Sequence, residues 1–208
     1  MSKYKRNAGS WSDRQEKDIY VQNARLDGWR SRAVYKLKQI NEKEHILHSG
    51  MTCIDVGSSP GSWSQFVSKK LKGNVIITAV DILPMDPVPG VEFILGDFLD
   101  EKIFEQILNK AGNKGIDLVM SDIAPNISGI RAVDQPKSMY LVELVFDLAR
   151  RVLMPGGNFV CKVFQGAGTD DFIKDTRKFF ERVKVIKPNA SRAESREVYL
   201  VARNFQQL

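Results

Sequence analysis

Three observations predict an α/β fold with a mostly parallel sheet for this 208-residue chain. Beyond Gly50, short β-rich runs alternate with helical stretches, the pattern of crossover βαβ units that put helices on both faces of a sheet. A glycine-rich segment, DVGSSPG at 55–61, joins the first such run to a helix, where missing side chains let the backbone approach a ligand closely. Hydrophobic residues are 43% and charged residues 27% of the chain, a composition that supports one full core and excludes a disordered chain.

The elements follow in order. Residues 1 to about 16 are polar with Gly and Ser and read as a mobile arm. Helices are expected over 17–27 and 31–44, the second with Ser31 as N-cap and Ala33, Leu37 and Ile40 at helical spacing. Strands are expected at 51–56, 74–80, 91–95, 116–121, 157–164, 183–187 and 196–202, and helices at 61–72, 100–111, 136–153 and 169–181. The last two strands have no room for a helix between them, so they should pair antiparallel at the end of the sheet. No repeat or internal linker divides the chain.

Net charge is +6 and the isoelectric point is about 9.3. The basic residues cluster: Lys3, Lys5, Arg6, Arg14, Lys17, Arg25, Arg30 and Arg32 alternate with Trp11, Tyr20 and Trp29, and a second block runs from Lys174 to Arg196. Cations that neutralise phosphates, with aromatic rings to stack on bases, suit an RNA-binding surface; solvated helix faces are the plain alternative. No apolar run approaches the roughly 18 residues needed to span a membrane, and the N-terminus lacks a secretory signal, so a cytoplasmic protein is expected. Cys53 and Cys161 lie in apolar runs as buried thiols do. His45 and His48 alone make a poor zinc site, and no metal is expected.

The glycine turn is not the G-x-G-x-x-G of dinucleotide enzymes, and no Lys-Ser/Thr pair follows Gly61 as in a phosphate-binding loop. The second strand ends at Asp81, where related folds bond ribose hydroxyls, and Asp97 follows the third. A nucleoside without a pyrophosphate, flanked by acids at successive strand ends, fits S-adenosylmethionine, which offers ribose hydroxyls, an adenine amine and a cationic sulfonium. Each acid alone would read as a turn or cap residue. Asp122, at the end of the fourth strand, should point into the same crevice. Lys162 interrupts an otherwise apolar run, FVCKVF at 159–164, where burial is costly without partners. Glu197 sits similarly in REVYL.

The stretches RSRAVYKL (30–37), DVGSSPGSWSQ (55–65), DILPMDP (81–87), GDF (96–98), MSDIAPNISG (120–129), FVCKVFQG (159–166) and SRAESREVYLVA (191–202) together resemble the FtsJ/RrmJ family of ribosomal RNA 2′-O-methyltransferases over nearly the whole chain. The resemblance implies a Rossmann-like class I S-adenosylmethionine-dependent methyltransferase fold, with a seven-stranded, mostly parallel sheet and an antiparallel last strand. It implies a single methyltransferase domain over 31–208, preceded by a basic arm and helix over 1–30. It carries a catalytic tetrad onto Lys36, Asp122, Lys162 and Glu197, with Lys38 outside the R-S-R-A-x-x-K-L position. Cofactor contacts carried over are Gly61, Trp63, Asp81, Asp97 and Asp122. Ser58 and Ser59 stand where the family often has alanine, with no chemical penalty. The implied substrate is a uridine ribose in the A loop of 23S rRNA, within the 50S subunit. The sequence leaves the oligomeric state open; nothing in it suggests an obligate dimer, and a monomer is expected. Lys162 is either the proton acceptor or only an orienting cation; both remain open at this level. Competing readings are a tRNA or mRNA-cap 2′-O-methyltransferase, a non-catalytic ribosome-assembly factor and a nicotinamide enzyme.

Overall fold

The computed structural model describes residues 18–111 and 115–207. The basic residues before Asp18, together with Trp11 and the arm expected there, lie outside the described residues. Two helices, α1 (Ile19–Leu26) and α2 (Val34–Glu44), precede the sheet. There follow β1 (Thr52–Val56), α3 (Ser62–Lys70), β2 (Ile76–Asp81), β3 (Val91–Leu95), α4 (Glu101–Ala111), β4 (Ile116–Ser121), α5 (Arg131–Val152), β5 (Leu153–Phe164), α6 (Thr169–Thr176), β6 (Phe180–Ile186) and β7 (Glu197–Phe205).

The seven strands form one sheet in the order β3-β2-β1-β4-β5-β7-β6. Neighbours from β3 to β5 pair in parallel, while β7 runs antiparallel to both β5 and β6. The expected antiparallel pair is therefore present, and β7 is the reversed strand, inserted between β5 and the edge strand β6.

Strand alternation divides the apolar side chains between two cores. Ile54, Val119, Phe159 and Leu200 face one side, with Ile107 of α4, Val145 of α5 and Phe172 of α6. Cys53, Met120, Val160 and Tyr199 face the other, with Leu37 of α2 and Trp63 and Phe66 of α3. Ala24 of α1 is buried in this second core and Trp29 packs against it, so α1 rests on the same body as the sheet. Both cysteines are buried free thiols.

Several boundaries differ from expectation for identifiable reasons. Ser31 does not cap α2: the helix begins at Val34 after a tight turn, and the Ser31 hydroxyl accepts the Ala33 N–H and pairs with the Ser62 hydroxyl. α5 begins five residues before 136, because the Asp134 carboxylate accepts the N–H groups of Ser128 and Gly129 and fastens an extra turn, with Pro136 inside the helix. β5 starts four residues early and crosses an irregularity where Leu153 pairs with Ile116. α6 stops at Thr176, freeing Phe180 to pair with Phe205 and bury its ring.

Candidate active site

Because alternate residues of a strand share a face, Asp122, just beyond Met120, and Lys162, two residues beyond Val160, reach the side of the sheet covered by α2. Tyr199 and Glu197 of β7 do the same. In the β5–β7 register Lys162 lies opposite Tyr199 and Phe164 opposite Glu197, while β4 places Ser121 beside Cys161. The helical turn of α2 brings Lys36 over this row.

The four sequence-predicted catalytic side chains converge. Lys36 Nζ stands 2.9 Å from both Glu197 carboxylate oxygens and 3.6 Å from Asp122 Oδ2. Lys162 Nζ lies 3.2 Å from Asp122 Oδ1 and also donates to the Asp122 carbonyl. All four side chains are mostly sequestered, Asp122 being the most open at 20% exposure and Lys162 among the least at 9%. Two cations and two carboxylates thus alternate in a chain, Lys162–Asp122–Lys36–Glu197, which offsets much of the cost of burying each charge.

Two further residues complete the network, and sequence reasoning missed both. The Tyr199 hydroxyl donates to Asp122 Oδ1 at 2.5 Å, and the Ser191 hydroxyl donates to Glu197 Oε1 at 2.7 Å. Tyr199 looks like ordinary strand core from the sequence; only its place opposite Lys162 reveals it. Burial, then the nearby Asp122 and Glu197 carboxylates, push the Tyr199 phenol well above its ordinary value, so it serves as a donor. For Asp122, burial raises the carboxyl, but the Lys162 and Lys36 ammonium groups and the Tyr199 hydroxyl outweigh it and hold it below the usual carboxylate range.

Beside this row the glycine turn roofs a cavity of about 180 Å³, lined by residues that include Asp55, Gly57, Ser58, Trp63 and Asp122. Gly61 has φ of 96°, a conformation side chains rarely adopt, and a methyl there would press on Met85 Sδ at 2.7 Å and Val88 Cγ2 at 3.1 Å. Trp63 is 3% exposed; its ring packs 5.7 Å from Tyr199 and its indole N–H donates to the Ala33 carbonyl, so it forms a wall. Asp81 ends β2 and accepts the N–H groups of Ser59 and Leu83, tying the turn to the next loop. Asp97 is exposed and accepts the Leu99 N–H in a local turn. These acids therefore perform turn duties, and neither stands within the tetrad.

The cavity is chemically suited to a cationic nucleoside. The Ser58 hydroxyl, 6% exposed, has no partner among the described residues. Asp55 and Asp122 both line the space. A second, open groove of about 480 Å³ lies on the other side of the tetrad, lined by Lys36, Phe164, Arg192, Ser195 and Glu197 among others. Ser31 and Ala33 border both spaces. Among the described residues no group of His, Cys, Asp or Glu is arranged to hold a metal ion, and no helix is long and apolar enough to cross a membrane.

Asp55 adds a pH signature that the sequence did not reveal. Burial pushes its carboxyl up to about 7, against the hydrogen bonds from the Ser64 hydroxyl and N–H; the Asp122 and Asp81 charges push the same way as burial. The folded protein therefore keeps this proton while the unfolded chain releases it near pH 4, so Asp55 lowers stability progressively as pH rises from about 4 to about 7. Asp55→Asn preserves an acceptor for Ser64 and removes that slope. Thermal unfolding should show the variant melting several degrees above the wild type at pH 8, with the gap closing below pH 4; equal melting at both pH values would contradict it.

A β7 reversed between β5 and β6, together with a glycine turn after β1 that lacks a dinucleotide fingerprint, places the protein among Rossmann-like methyltransferases. Within that class, residues 29–205 match the family model described as FtsJ-like methyltransferase, and the chain belongs to this family. It is 49% identical to ribosomal RNA large subunit methyltransferase E of Legionella pneumophila (strain Lens) over 94% of this chain and 95% of the relative. The protein of the same name from Cellvibrio japonicus is 50% identical over 96% of this chain and 95% of its own length. A crystal structure from Plasmodium falciparum, described as that of a ribosomal RNA methyltransferase, superposes with a TM-score of 0.76 at 29% identity, covering 85% of this chain and 98% of that one.

Proposed function

We propose that this chain transfers a methyl group from S-adenosylmethionine to the ribose 2′-hydroxyl of a uridine in the A loop of 23S rRNA, with the assembled 50S subunit as substrate. The observation that carries the reading is the Lys162–Asp122–Lys36–Glu197 chain, set between the glycine-turn cavity and the open groove. The relatives named ribosomal RNA large subunit methyltransferase E support the RNA substrate; the motif resemblance supports the uridine, the A loop and the 50S context. The enzyme acts in the cytoplasm as a monomer without a metal.

S-adenosylmethionine, when bound, supplies an electrophilic methyl on a positively charged sulfur. Gly57 and Gly61 would admit it close to the backbone, Ser58 and Asp55 would offer it polar partners and Trp63 would wall its pocket, while the motif resemblance assigns its nucleoside end to Asp81 and Asp97. The protein's remaining work is to hold the ribose oxygen in line with the methyl and to remove its proton. Lys36 and Glu197 face the groove and position the sugar. Asp122 fixes the Lys162 amine beside the reacting oxygen. Lys162 would act through its neutral amine, having first given one proton to solvent; that amine would take the hydroxyl proton as the new O–C bond forms and the C–S bond breaks, and so return to the ammonium form.

The test is incubation of the protein with isotopically labelled S-adenosylmethionine and 50S subunits lacking the modification, followed by mapping of the label. A single methylated uridine ribose in the A loop is the expected result. Label in a base, in protein or in another RNA overturns the assignment.

A further inference from the structure

Asp134 and Gln135 stand side by side near the start of α5, only 7% and 5% exposed, and their hydrogen bonds go to groups other than the tetrad side chains. Asp134 holds the loop that leaves Asp122, through its bonds to Ser128 and Gly129. Gln135 serves a different pair of segments. Its amide nitrogen donates to the carbonyls of Phe164 at 2.9 Å and Ala167 at 3.1 Å, in the turn that begins two residues after Lys162. Its amide oxygen accepts from Arg196 Nη1 at 3.3 Å, and Arg196, the neighbour of Glu197, also donates to the Gln165 carbonyl at 3.0 Å. The Gln165 N–H closes the loop by donating to the Arg196 carbonyl at 3.0 Å.

We propose that Gln135 is a positioning residue for the tetrad: one buried amide clips the exit of β5 to the entry of β7 and so sets the separation of Lys162 and Glu197. The inference rests on the tetrad's proposed role. Space-filling alone does not require an amide here; an apolar side chain of similar length would pack equally well under Gly166, where a methyl would lie 2.6 Å from Gln135. What the amide adds is both a donor and an acceptor, bracing from α5 the end of a ladder that pairs Phe164 with Glu197 and is continued by the Gln165–Arg196 backbone bond. Because in-line transfer tolerates little displacement of the aligned groups, the clip acts on the rate of the chemical step and leaves the methyl-donor cavity untouched.

The experiment compares the wild type with Gln135→Met, Arg196→Met and the double variant. It measures single-turnover methyl transfer to 50S subunits, S-adenosylmethionine affinity by calorimetry and amide exchange at Gln165 in the free protein. Each single variant should lose roughly tenfold to a hundredfold in rate, as expected for a small misplacement of reacting groups, with donor affinity unchanged. The double variant should lose little more than either single, since the two side chains act as one device. Exchange at Gln165 should accelerate in both singles. A wild-type rate in Gln135→Met, a strictly additive double variant or unaltered exchange at Gln165 overturns the clip. Failure of the wild type itself to methylate 50S subunits would instead count against the proposed reaction, and the exchange measurement then still decides whether Gln135 joins the two strands.

Discussion

Lys162→Ala should abolish methyl transfer to RNA, with a loss on the order of a thousandfold or more, while S-adenosylmethionine still binds; removal of a positioned proton acceptor typically costs about 10² to 10⁴ in rate. The geometry explains why no neighbour substitutes. Lys162 rises from β5 and is held by both the carboxylate and the carbonyl of Asp122. Lys36 is already committed to Glu197, with contacts of 2.9 Å to both oxygens. The Tyr199 hydroxyl donates to Asp122, and its phenol is pushed far from losing a proton. Lys162→Arg separates the two possible roles. It keeps a cation beside Asp122 but cannot accept a proton, since a guanidinium does not deprotonate in proteins. Transfer as poor as in Lys162→Ala marks Lys162 as the base; substantial recovery marks it as an orienting charge. Full activity of Lys162→Ala, measured as label in RNA, would remove the tetrad from the mechanism.

Asp122→Asn carries the second large effect, and it should strike both activity and stability. One carboxylate neutralises Lys162 and Lys36 and accepts the Tyr199 hydroxyl. Without it, two sequestered ammonium groups share only Glu197, so a net positive charge remains away from water. Breaking a fully buried pair costs about 3–5 kcal/mol; with 20% of this side chain exposed, the lower end, about 3 kcal/mol, is expected. The sign with pH follows from the lowered Asp122 carboxyl. Its ionised form contributes stability above the ordinary carboxylate value near 4, and that contribution is lost as pH falls through the lower folded value. Urea unfolding should therefore show the variant's deficit at full size from pH 5 to 8 and shrinking below pH 4. A variant as stable as the wild type at pH 7 would mean that Asp122 does not hold the lysines together. Rate loss should accompany the deficit, because the asparagine amide no longer fixes the Lys162 amine.

Much of this site was legible before any coordinates. A lysine inside the apolar run of β5 is conspicuous because burial demands a partner, and the motifs around Lys36, Asp122 and Glu197 resemble one family closely enough to name all four. The alternation of strands and helices was equally legible, since side-chain period distinguishes the two. Boundaries were less so. Asp134 draws α5 out by an extra turn through bonds to a loop, and Phe180 shortens the preceding helical stretch by pairing with Phe205. Both outcomes depend on partners several residues or a whole strand away.

By itself, the sequence determined the succession of elements, the glycine turn, the family and the chemical types at the centre, because each is written in local spacing. The tertiary structure alone decided how those groups meet: Lys36 with Glu197 across 161 positions, Lys162 with Asp122 across 40. It also brought in Tyr199, Ser191, Asp55 and Gln135, whose surroundings no local pattern encodes. The reason is hydrogen-bond register. Because β7 is inserted beside β5 with Lys162 opposite Tyr199, every second residue faces the same helix; a slip of one position would send Glu197 and Tyr199 to the opposite core.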